Sequence, residues 1–181
     1  IVNIPGMKER TIILYTFSKR FAMTGWRVGA SIGPKRIIEQ IARFNINDES
    51  CTNHFIQHAL AETLQDSDSN SALILNELKK RRDICLTILN SINGINLPKP
   101  ESTFYLFLNV TSIMSDKGYD NLDEFRVEAL KATGVSFCTR HHFGTSLKEE
   151  TKKYIRLAYS GIDQNDINAG LIHFKNWIEG E

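Results

Sequence analysis

The sequence predicts a mixed α/β fold on three observations. A β-branched and aromatic run, Thr11–Phe17, is flanked by charged residues, as a buried strand would be. Apolar residues recur at helical spacing from Leu73 to Ile92. Strand-like and helix-like segments then alternate as far as Ile178 without an internal repeat.

Taken in order, Lys19 falls just past the end of the first strand. Gly25–Ile32 sets two glycines around a second short apolar stretch, and Gly33-Pro34 closes it ahead of a helix from Lys35 to about Arg43. From about Asn53 to Leu64, Phe55, Ile56, Ala59, Leu60 and Leu64 keep helical spacing. Asp66-Ser67-Asp68-Ser69-Asn70-Ser71 reads as a polar break and candidate hinge, dividing the chain into 1–70 and 71–181. The long helix from Leu73 ends near Asn93-Gly94. There follow a strand at Phe104–Val110, a helix at Leu122–Thr133 closed by Gly134, strands at Val135–Thr139 and Tyr154–Tyr159, and a terminal helix at Ile167–Ile178.

Composition narrows the classes. The 181 residues are 41% hydrophobic, enough for a substantial core. With 22 Lys and Arg against 21 Asp and Glu, the net charge of +1 gives no global pull toward nucleic acid or anionic membrane. Lys79-Lys80-Arg81-Arg82 reads as a solvated helix face. No stretch approaches the roughly 18 to 20 apolar residues needed to span a bilayer, and the first residues resemble no signal peptide. Cys51, Cys85 and Cys138 are odd in number and widely spaced, against a disulfide framework or zinc site and in favour of a reducing cytoplasm. Cys51 and Cys138 read as buried thiols, and His141-His142 as loop residues rather than metal ligands. The absence of an initiator Met suggests a fragment.

One constellation carries chemistry: Thr16-Phe17-Ser18-Lys19, followed by Gly25-Trp26-Arg27-Val28-Gly29. Arginine grips phosphate through paired charge-assisted bonds, hydroxyls serve its other oxygens, and glycines let backbone approach closely. The lysine is left for covalent work, and a neighbouring arginine with partial desolvation would favour its neutral, nucleophilic form. Each residue taken singly also fits an ordinary surface or turn role.

The string YTFSKRFAMTGWRVGASIGPKR resembles the cofactor-lysine signature of class I, aspartate aminotransferase-like enzymes of fold type I, in which Ser-x-Ser-Lys precedes Gly-x-Arg-x-Gly. The resemblance extends downstream. Thr52-Asn53 with Gln57 is similar to the segment after the cofactor lysine, and the helix from Leu73 to the family's interdomain helix. Pro100-Glu101-Ser102-Thr103-Phe104-Tyr105 is similar to Pro-x-Gly-Ala-Phe-Tyr, and Tyr154-Ile155-Arg156-Leu157 to the closing Ile-Arg-Leu strand. Departures are Thr16 for a serine, Ser102-Thr103 for Gly-Ala, and Thr139-Arg140-His141-His142 where the family has Pro-Gly.

The resemblance implies that residues 1–70 end the large domain that binds pyridoxal 5'-phosphate and 71–181 form the small domain. It also implies that Lys19 carries the cofactor covalently and relays a proton, that Thr16, Ser18 and Arg27 bind its phosphate, and that Arg156 binds the substrate α-carboxylate. The implied activity is amino-group transfer between amino acids and 2-oxo acids by a cytoplasmic homodimer, with little activity from the fragment alone. A carbon–sulfur β-lyase on the same scaffold would share these residues. A non-catalytic dimerisation or binding fragment would carry no lysine-linked cofactor.

Overall fold

The computed structural model describes residues 1–180 and divides into two compact units, Ile1–Leu75 and Asn76 onward.

In the first unit, strands β1 (Ile13–Thr16) and β2 (Gly29–Ile32) form an antiparallel ribbon with Ile13 opposite Ile32 and Thr16 opposite Gly29. The sequence predicts a buried strand here, yet Leu14 is 80% exposed, because nothing in this unit covers the face of the two-stranded ribbon opposite Tyr15 and Ala30. Its core lies toward one end: Phe17 and Val28, the residues just past the Thr16–Gly29 pair, pack with Ile56 and Leu60, and the paired Tyr15 and Ala30 pack against them. Helix α1 (Lys35–Asp48) runs five residues beyond the expected stop at Arg43, because no Gly or Pro interrupts it. Helix α2 (His54–Gln65) starts where Asn53 Oδ1 accepts the Phe55 amide at 3.2 Å.

The expected polar break at 66–71 is instead a helix start. Asp66 alone leaves helical geometry, with φ −133° and ψ 62°. Its carboxylate accepts the Ser69 amide at 3.3 Å, opening α3 (Ser67–Leu89) at once. Ser, Asp and Asn compete with helix interiors but cap helix ends, so the cluster marks the N-terminus of α3.

Helix α3 crosses into the second unit and stops at Leu89. Asn90 then pins the following loop, donating to the Leu97 carbonyl at 3.0 Å and accepting the Leu97 amide at 2.7 Å. Strand β3 (Tyr105–Asn109) leads to α4 (Thr111–Asp116), a helix too short to show a period in the sequence. Helix α5 (Leu122–Thr133) has the expected bounds: Asn121 caps the Asp123 and Glu124 amides, and Gly134 closes it at φ 74°. Strand β4 (Cys138–Thr139) keeps two of the five expected residues, because pairing occurs only at Cys138–Arg156 and Thr139–Ile155. Strand β5 (Tyr154–Ala158) lies between β3 and β4, antiparallel to both. Helix α6 (Gln164–Glu179) starts three residues before Ile167, where the Asp163 carboxylate caps the Asp166 amide at 2.9 Å.

Strand alternation sorts the sheet into two faces. Leu106, Leu108, Ile155 and Leu157 join one core with Leu89 of α3, Phe125 and Ala129 of α5, and Leu171 and Phe174 of α6. Tyr105, Phe107 and Arg156 occupy the alternate positions on the other face.

Candidate functional site

Ser18–Lys19 and Arg27 stand at the two ends of the connection between β1 and β2, Ser18 and Arg27 one residue and Lys19 two residues inside the connection from the buried Phe17 and Val28. The antiparallel pairing thus brings residues eight apart in sequence to one end of the ribbon. The Thr16 hydroxyl donates to Ser18 Oγ at 3.0 Å and accepts the Ser18 amide at 3.2 Å. Ser18 is 9% exposed, whereas Lys19 and Arg27 are exposed. The partial desolvation expected for Lys19 is therefore not supplied within this chain. Arg20 pairs with the Asp68 carboxylate and donates to Ser67 Oγ at 3.2 Å, tying the turn after Lys19 to the first turn of α3.

Arg27 has left-handed backbone, φ 52° and ψ 50°, and its Nη1 donates to the Thr24 carbonyl at 2.9 Å. That conformation is strained for a residue with a Cβ, and strain of this kind concentrates where a side chain must be aimed. Of the two glycines expected to admit a phosphate, Gly25 stands in open space. Gly29 serves the ribbon itself, because a Cβ there would lie 2.9 Å from the Tyr15 carbonyl oxygen. Gly29→Ala is expected to destabilise the first unit by about 1–3 kcal/mol, the usual range for overpacking, read as a lower urea midpoint. An unchanged midpoint would show that the ribbon opens freely.

Arg156, in the second unit, projects from β5 onto the face away from the helices. Its guanidinium carbon lies 4.2 Å from the Tyr105 ring centroid and 4.6 Å from that of Phe143. Its Nη2 donates to Cys138 Sγ at 3.6 Å, a weak acceptor, and its buried Nε has no partner. A cation with stacked faces and an unspent buried donor is prepared to take an anion. Sequence reasoning did not find Tyr105 or Phe143 beside Arg156; the strand register Arg156–Cys138 is the signal that would have placed the sulfur there.

Three expectations are corrected by the structure. Cys51 is exposed rather than buried, and Cys138 is half-buried, while burial pushes the Cys85 thiol up to about 11. His142 is a cap rather than loop filling: its ring accepts the Thr139 amide at 3.1 Å at the start of the 3-10 turn Arg140–Phe143. Gly-Ala, replaced here by Ser102-Thr103, gives way to a β-branched residue at φ 68° on Thr103, whose carbonyl accepts the Tyr159 hydroxyl at 3.0 Å. Among the described residues, no group of three or more His, Cys, Asp or Glu could hold a metal ion, and no helix is long and apolar enough to cross a membrane.

The family model for aminotransferase class I and II matches residues 2–173. The chain belongs to that family. Among relatives, this aminotransferase-family chain is 32% identical over 163 residues to an aromatic-amino-acid aminotransferase of Thermococcus litoralis, covering 88% of this chain and 39% of the relative. It is 34% identical over 162 residues to an aspartate aminotransferase of Pyrococcus abyssi, again covering 88% and 39%. Its fold matches the crystal structure of an aromatic aminotransferase from Pyrococcus horikoshii with a TM-score of 0.84 and 29% identity, over 98% of this chain and 45% of the other. The chain thus spans about two-fifths of the length of the curated relatives it matches. The mixed α/β architecture is that of the part of these aminotransferases that the chain matches.

Proposed function

We propose that this chain is the C-terminal portion of a pyridoxal-phosphate-dependent aminotransferase that moves an amino group between an amino acid and a 2-oxo acid. The observation that carries the reading is the convergence of Ser18, Lys19 and Arg27 at one end of the β1–β2 ribbon in a chain of this family. Residues 1–70 would complete the cofactor domain and residues 71–181 would form the small domain.

The donor set fits the cofactor. Thr16 and Ser18 supply linked hydroxyls and Arg27 an exposed guanidinium with one nitrogen committed to Thr24, so these three would hold the phosphate. Lys19 follows Ser18 directly and carries an exposed primary amine, the group needed to link an aldehyde. When bound, pyridoxal phosphate supplies an electron sink for the bonds at the substrate Cα. Lys19 would take the proton from Cα and return it, and Arg156 would fix the substrate by its α-carboxylate.

Leu14, Ile32, Phe44 and Ile46 are exposed on the first unit, apolar side chains suited to burial by the rest of the protein and by a second subunit of a homodimer. Three free thiols suit a reducing cytoplasm.

Product analysis on the whole protein tests the activity. With pyridoxal phosphate, an amino donor and a 2-oxo acid acceptor, equal amounts of new amino acid and new 2-oxo acid are expected, with ping-pong kinetics. Release of a thiol and ammonia from a sulfur-containing donor, without transfer, would assign a carbon–sulfur β-lyase instead. Arg156→Lys is expected to raise KM for the amino donor by about 10²-fold, because a point charge cannot reproduce a planar two-point grip. An unchanged KM would remove Arg156 from the carboxylate role.

A further inference from the structure

The stretch where the sequence departs from the family's Pro-Gly, Thr139-Arg140-His141-His142, opens a loop closed on itself by one side chain. Arg140 Nε donates to Glu150 Oε1 at 2.7 Å, its Nη2 to the Thr145 carbonyl at 2.9 Å and its Nη1 to the Gly144 carbonyl at 3.3 Å. The other oxygen of Glu150 accepts the Leu147 amide at 2.9 Å. The two side chains are 28% and 33% exposed, and a charge-assisted bond of this kind is stronger than a neutral one. The Arg140 hydrogen bond holds the Glu150 carboxyl below its ordinary range, so the carboxylate is ionised at neutral pH.

The two carbonyls that Arg140 grips directly follow Phe143, the residue whose ring lies 4.6 Å from the Arg156 guanidinium. Tyr105, the other ring on that guanidinium, is fixed by β3, whereas Phe143 sits in the turn between β4 and the loop. Placement of Phe143 therefore depends on the loop's closure. We propose that the Arg140–Glu150 pair holds Phe143 against Arg156 and thereby sets how tightly Arg156 takes the substrate carboxylate, which rests on the carboxylate reading of Arg156 given above. Phe143, Arg140 and Glu150 are positioning residues in this scheme. A ring that fixes the guanidinium plane reduces the rotamer freedom lost when the two-point grip forms.

The test is steady-state kinetics on the whole protein with its cofactor, comparing Phe143→Leu, Phe143→Tyr, Glu150→Gln and Arg156→Lys. Phe143→Leu and Glu150→Gln are expected to raise KM for the amino donor by about three- to tenfold with kcat within about twofold, while Phe143→Tyr restores the wild-type KM. Wild-type KM in Phe143→Leu and Glu150→Gln, beside a raised KM in Arg156→Lys, overturns the positioning role and leaves the carboxylate reading standing. A wild-type KM in Arg156→Lys overturns the carboxylate reading and this inference with it. A joint fall of kcat and Tm in Phe143→Leu that Phe143→Tyr does not restore also overturns the role, since it would make Phe143 part of the scaffold only.

Discussion

Lys19→Ala in the whole protein is expected to lower kcat/KM by at least about 10³-fold, the scale set by loss of a covalent nucleophile that is also the proton carrier. The amine is the one group in the constellation that can both link an aldehyde and exchange a proton with a substrate carbon. Thr16, Ser18 and Arg27, the proposed phosphate ligands, remain in the variant, so phosphate binding is expected to persist while chemistry is lost. Lys19 is exposed at the turn after β1, where truncation removes no core contact within this chain, and stability of the cofactor-free protein should change by less than about 0.5 kcal/mol. Initial rates and thermal unfolding on the same preparation check both statements. Retention of more than about a tenth of the activity would contradict a covalent role.

The largest stability effect falls on Phe125. Its ring is fully buried, 5.2 Å from Trp177, 5.6 Å from Tyr119 and 6.0 Å from Phe137, at the meeting of α5 and α6. Phe125→Ala leaves a void in a cluster of stiff rings that cannot collapse into it, and a loss of about 3–5 kcal/mol is expected. Urea unfolding followed by Trp177 fluorescence in a Trp26→Phe background isolates the second unit, since Trp26 lies in the first. A loss below about 1 kcal/mol would mean that the aromatic cluster repacks.

Helix α5 was legible residue by residue because its period, its Asn121 cap and its Gly134 stop agree. The Thr11–Phe17 strand was legible as a strand but not in its exposure, since burial depends on what covers a ribbon and local pattern does not encode that. The 66–71 cluster misled because Ser, Asp and Asn favour turns and helix caps alike; the choice was made by Ser67–Ser71 joining the long helix. In the candidate site, what was legible is the placement of Lys19 and Arg27 toward one ribbon end, because the connection over residues 17–28 returns the chain to pair Thr16 with Gly29. The surroundings of Arg156 were not. Tyr105, Cys138 and Phe143 reach it through strand register and loop closure across 13 to 51 positions of sequence, where no periodicity speaks.

The covalent role of Lys19 is tested most directly by incubating the whole protein with pyridoxal phosphate, reducing with borohydride and mapping the modified lysine by peptide mass, with Lys19→Ala as control. One dominant adduct on Lys19, absent from the variant, is the expected result. An adduct fixed on another lysine, or labelling spread over the surface and unchanged in Lys19→Ala, would contradict the account.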